Sequence, residues 1–128
     1  MDNVLYHMIV HGVPRTKKNS QRIVIIGGHP KVIPSKDYKA YEEFVLWILN
    51  PTASGKPIST AVNVKCLYFM PTRRRVDLVN LLEASCDILV KAGILEDDHS
   101  GIVVSHDGSR VLYDKDDPRV EITIEAVK

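Results

Sequence analysis

Residues 72–98 read TRRRVDLVNLLEASCDILVKAGILEDD: three arginines, an aspartate, a segment of helical periodicity, a glycine and three consecutive acids. At about 100° per residue, Leu78, Leu81, Leu82, Ser85, Ile88, Leu89 and Ala92 fall on one side of a helix, and Asn80, Glu83, Asp87 and Lys91 fall within about 80° of each other on the opposite side. The segment therefore reads as a helix that packs through one face and presents polar groups on the other. Asp77 stands where an N-cap belongs, its charge favoured by the helix dipole. Gly93 fits the C′ position, which a residue without Cβ enters at low cost.

The flanking segments set this helix in an α+β fold. Residues 59–71, STAVNVKCLYFMP, alternate and then turn mostly apolar, as a central strand would, and deliver the chain to the arginines. Upstream, VLYHMIVHGV (4–13) reads as a first strand, GVPRTKKNSQ (12–21) as a basic loop, and RIVIIGGHPKVIP (22–34) as a hairpin turning at Gly27-Gly28. Ser35 is a natural N-cap for a helix over 36–50, with Tyr38, Tyr41, Val45, Ile48 and Leu49 on its packing face and its end at Asn50-Pro51. Downstream, IVVSHDGSRVLYD (102–114) and RVEITIEAV (119–127) read as strands with turns at Asp107-Gly108, the expected type I′ hairpin pair, and at Asp116-Asp117-Pro118. The expectation is a single α+β domain over residues 1–128, with a mixed, largely antiparallel sheet and two main helices. No repeat or low-complexity tract interrupts it.

Composition narrows the function. The chain has 128 residues, is 45% hydrophobic and contains no apolar run of eighteen or more, so no membrane span or signal peptide is expected, and a cytoplasmic location is. Cys66 and Cys86 lack zinc-site spacing and read as small core residues. Net charge is only +1, yet seven basic residues between Arg15 and Lys39 face a single acid, Asp37, while acids dominate from Glu96 to Asp117. Such asymmetry suits a protein that attracts a polyanion with one surface and holds a cation with another. No phosphate-binding P-loop, dinucleotide-binding glycine pattern or nucleophile elbow occurs, which argues against NTP hydrolysis, dinucleotide binding and serine-hydrolase chemistry.

Phosphodiester hydrolysis calls for a divalent ion held by hard oxygens. Asp77 on one side of the helix and Asp97 or Asp98 on the other are candidate ligands. A 14-residue helix is about 21 Å long, so the two clusters meet only if the chain folds back after Gly93. Asp107 is a further candidate, although its Asp-Gly context also explains it as a turn residue. Arg73, Arg74 and Arg75 are expected to clamp phosphates, and Lys17, Lys18 and Arg22 to extend that contact. His99 and His106, each beside an acid, are candidate proton shuttles.

The ordered combination of arginine run, Asp ahead of Asn-Leu, helix end DILVKAG and double Asp resembles the RusA-type Holliday junction resolvases, homodimeric phage and prophage endonucleases that cut four-way DNA junctions with Mg²⁺. The likeness extends to GVPRTKKNSQR and to the strand ending in FMP. It implies catalytic, metal-binding roles for Asp77 and Asp98, with Mn²⁺ as a substitute ion, and a homodimer acting on branched DNA. In the family pattern D-x-D-N-L-x-K the second Asp and the Lys are also functional, whereas this chain has Val79 and Glu83 there. Either the carboxylates are rearranged, with Glu83 or Asp107 completing the shell and Asn80 orienting a ligand or water, or the site is impaired and the protein binds junctions without cutting them. A small interaction module whose arginines meet an acidic partner is the third reading.

Overall fold

In the computed structural model, which describes residues 3–17, 21–34 and 36–127, the fold is organised around β4 (Val62–Met70). Ser35, Lys18 and the side chain of Arg22 lie outside the description. Val62, Val64, Cys66, Tyr68 and Met70 alternate along β4 and are all buried, as the period of two requires for a strand with one face on the core. Antiparallel to β4 runs β7 (Arg119–Ala126), whose Val120, Ile122 and Ile124 continue the buried face, and β7 pairs in turn with β1 (Val4–His11). Along the other edge of β4 lie β5 (Val103–Ser105) and β6 (Arg110–Tyr113), both parallel to it.

The helices cover the buried face. Helix α1 (Lys36–Leu49) contributes Tyr38, Val45 and Leu49, then tightens into a 3-10 turn at Asn50–Thr52, where Pro51 cannot extend the α-helical hydrogen bonding. Helix α2 (Leu78–Lys91) buries Leu81, Leu82, Ser85, Ile88 and Leu89 as its periodicity predicts, and also Ala84 and Cys86. The Tyr68 hydroxyl meets the Ser85 hydroxyl at 2.7 Å, so the polar tips on this interface satisfy each other. The separate hairpin of β2 (Gln21–Ile26) and β3 (His29–Pro34) turns at Gly27 and Gly28, with φ of 60° and 79°, the positive pair a type I′ turn needs. The α+β class with a mixed, mostly antiparallel sheet and two helices is therefore what the sequence predicts.

The predicted hairpin at Asp107-Gly108 does not form. Only Gly108 of the two has positive φ, 87°, and β5 and β6 align one after the other on the same edge of β4 instead of pairing with each other. This arrangement lets Val103 and Val111 pack on the core, which a solvent-facing hairpin would not. Where the chain bulges away between β5 and β6, side chains replace the missing ladder. His106 Nδ1 donates to Val64 O at 2.8 Å, and Cys66 N donates to Ser109 Oγ at 3.0 Å. Asn63, only 8% exposed, holds the bulge by accepting from Asp107 N at 2.7 Å and donating to Asp107 O at 3.1 Å. The turn at Asp116-Asp117-Pro118, by contrast, joins strands on opposite edges of β4, closed by Asp114 Oδ1 accepting from Asp116 N and Asp117 N.

Asn63→Ala should cost about 1–3 kcal/mol in urea unfolding, the scale of leaving buried partners unpaired. A change under about 0.5 kcal/mol, the usual range for uninvolved surface positions, would show that the bulge does not rely on this side chain.

Candidate active site at the start of α2

Leaving β4, residues 71–76 carry the arginines across the end of the sheet to Asp77, the N-cap of α2. Asp77 Oδ1 accepts from Val79 N at 2.9 Å and from Asn80 N at 3.4 Å, so one of its oxygens serves the helix while the side chain stays exposed. At the far end, Gly93 adopts a φ of 79°, and Ile94 N and Leu95 N both donate to Leu89 O, which reverses the chain. Ile58 N to Ile94 O and Glu96 N to Ile58 O then fix the returning segment.

The reversal brings Asp98 back against α2. A cleft of about 250 Å³ is lined by Val79, Leu82, Glu83 and Cys86 from the helix and by Asp98, Val103 and His106 from the segment that follows. Burial first, and then the neighbouring Cys66, Asp98 and Asp87, push the Cys86 thiol up to about 12, so it stays a neutral wall residue. Glu83 and Asp98 thus share one cleft. Asp97 instead accepts from Asp98 N at 2.7 Å in its own turn; Asp77, Asn80 and Asp107 do not line the cleft either. Val79, 70% exposed, presents a bare apolar side chain at the cleft where the resemblance calls for a carboxylate.

Among the described residues, no three His, Cys, Asp or Glu side chains stand close enough to enclose a metal ion. Mg²⁺ commonly binds through only one or two carboxylates, with waters and substrate phosphate completing the octahedron. Two carboxylates lining one open cleft suit that mode better than a closed protein cage. His106 adds a directed nitrogen: because Nδ1 donates to a carbonyl, the neutral ring carries its hydrogen there and leaves Nε2 as an acceptor.

The basic residues divide into three groups. Arg74 and Arg75 line a second, larger cleft of about 590 Å³ together with Arg15, Thr16 and Thr72, over a floor that includes Val13, Met70 and Leu81. Arg73 lies 4.2 Å above the Tyr113 ring, a cation–π contact. Lys17, predicted as a phosphate contact, is tied to Asp87 at 2.5 Å, and Lys91 pairs with Glu42 of α1 at 2.9 Å. Two members of the polar face of α2 therefore fasten the helix to its neighbours. Arg15 is the residue that reading the motif overlooked; its only signal was membership of the basic block after β1.

The hydrogen bond to Asp87, reinforced by the charges of Asp87, Glu42 and Glu83, raises the Lys17 pKa above its ordinary value against a smaller opposing effect of burial. A raised lysine pKa contributes stability that is complete below the unfolded value, about 10.4, and is lost as pH rises through the folded value.

An α+β scaffold that sets an acidic cleft and an arginine-lined cleft at the two sides of one helix start defines a class of protein suited to phosphodiester groups. Comparison with known proteins gives the family: the family described as Endodeoxyribonuclease RusA matches residues 11–125, and the chain belongs to it. A curated relative, the Crossover junction endodeoxyribonuclease RusA of Aquifex aeolicus (strain VF5), is 29% identical over 59 residues, which cover 46% of this chain and 47% of that protein. The match thus spans about half the length of the relative.

A double-mutant cycle of Lys17→Met and Asp87→Leu should give a coupling of about 0.5–1 kcal/mol at neutral pH, the scale of surface ion pairs. The coupling should fall as pH rises through the raised Lys17 value, and one that does not change with pH at all would refute the charged pair.

Proposed function

We propose that the protein is a Mg²⁺-dependent endodeoxyribonuclease that cuts four-way or branched DNA as a homodimer. The observation that supports this reading most is the meeting of Glu83 and Asp98 across one cleft, beside the arginine-bearing segment that leads into α2. Family membership agrees with it. Glu83 and Asp98 would hold the ion, with Mn²⁺ as a substitute, and Asp77 would face the same phosphate from the helix start. When bound, the ion would polarise a phosphoryl oxygen and lower the pKa of a coordinated water.

The remaining work falls to the chain itself. Two carboxylates repel a phosphodiester, and Arg74 and Arg75 counter that repulsion while holding the strand in register. The first turn of α2 adds the positive end of its dipole, its Val79 and Asn80 N–H groups being already taken up by Asp77. Asn80, half-buried next to the cap, would orient a water or a ligand at the helix start. A four-way junction has paired strands related by two-fold symmetry, so a two-fold dimer would present one site to each.

A second reading, junction binding without cleavage, is favoured by one observation: Val79 occupies the mouth of the cleft with a side chain that cannot ligate a metal. A labelled four-way junction incubated with Mg²⁺ or Mn²⁺, with chelator controls, separates the two readings. Cleavage with either ion supports the nuclease, and binding without nicks supports the second reading.

Under the nuclease reading, Asp98→Asn and Glu83→Gln should each lower the cleavage rate by about 100-fold or more, the scale of losing one electrostatic stabiliser, with junction affinity little changed. Val79→Asp should tighten Mg²⁺ binding in calorimetry, because it adds a carboxylate to the same cleft. Arg74→Ala should weaken binding to all sequences alike and reduce the salt slope by about one. Full cleavage by Asp98→Asn would place the chemistry elsewhere.

A further inference from the structure

The larger cleft beside α2 differs in kind from the acidic one. Its rim carries three guanidinium groups, Arg15, Arg74 and Arg75, none of which makes an ion pair or side-chain hydrogen bond among the described residues. Arg119, by contrast, is neutralised: it donates to Asp114 at 2.9 Å and to Glu121 at 2.8 Å while lying 3.8 Å above the Phe69 ring. Three unneutralised like charges around one concavity repel each other, and an anion seated among them removes that repulsion.

The lining of this cleft combines the arginines with apolar side chains. Met70 and Leu81, 8% and 1% exposed, line it together with the more accessible Val13 and Val76, beside the arginines. The intact backbone of a duplex offers a convex row of charged phosphates and would leave such side chains uncovered. A nucleotide whose base has left the stack offers both parts at once, a phosphate for the guanidiniums and a flat apolar face for the aliphatic side chains. The volume of about 590 Å³ lies in the range of clefts that hold small ligands, about 300–1,000 Å³. Thr72, exposed at the mouth, adds a neutral hydroxyl.

We infer that this cleft, with Arg15 as an additional phosphate-binding residue, takes a single unstacked nucleotide of the DNA strand that crosses the start of α2. The inference rests on the proposed action on branched DNA, where bases at the crossing point cost least to unstack. The two clefts meet α2 through different residues, Leu81 for this one and Val79 with Glu83 for the other.

The test uses four-way junctions carrying 2-aminopurine at single positions on either side of the crossover, titrated with full-length protein in Ca²⁺ or chelator to prevent cutting. One position should brighten at least about two-fold on binding, as an unstacked base does. Thr72→Trp, which fills the mouth of the cleft from an exposed position, should suppress the rise, and Arg15→Gln should reduce it by half or more; mobility shifts and thermal melts run in parallel confirm that each variant binds and folds. Binding by the wild-type protein with no position brightening, or an equal rise in Thr72→Trp, overturns the nucleotide cleft alone. Absence of junction binding overturns the branched-DNA reading and this inference with it.

Discussion

The reversal of the chain at Gly93 is the constraint on which the candidate site depends. Without a left-handed residue there, the segment after α2 would leave about 21 Å from Asp77 and carry Asp98 away from the helix. Instead Leu89 O accepts the two following N–H groups, and the bonds to Ile58 fix the returning segment against the chain that leads into β4. The acidic cleft is thus defined by main-chain hydrogen bonds before any side chain is considered. Glu83 and Asp98 inherit their proximity from that backbone path.

Charge is sorted along the same path. Five acids that carry no proposed chemistry are paired: Asp87 with Lys17, Glu42 with Lys91, and Asp114, Asp117 and Glu121 with Arg119. Asp114 is held below the usual carboxylate range chiefly by its hydrogen bond from Arg119. Arg15, Arg74 and Arg75 receive no such neutralisation among the described residues, and they gather on the side of α2 away from Glu83 and Asp98. Under the proposed function, segregating the two signs across one helix would let a polyanion approach one side while a cation is held on the other.

Much of this was readable in the sequence because it depends on local rules. The periodicity of 78–92, the capping position of Asp77, the C′ glycine and the Gly27-Gly28 turn each follow from short-range geometry, and each is found. The placement of β5 and β6 was not readable, since Asp107-Gly108 satisfies the local rule for a hairpin while the non-local gain of packing Val103 and Val111 along β4 overrides it. The same non-local bulge brings His106 to the acidic cleft and leaves Asp107 outside it. Lys17 and Arg15 looked alike as members of one basic loop. Only the fold shows that one meets an acid on α2 and the other an arginine-lined cleft.

The role assigned to the returning segment is tested most directly by locating Mn²⁺ through its anomalous diffraction in crystals of the protein. A single strong peak in the cleft between the Glu83 and Asp98 carboxylates is the expected result. A peak coordinated elsewhere, or an empty cleft at millimolar Mn²⁺ with junction DNA bound in the crystal, would contradict the account.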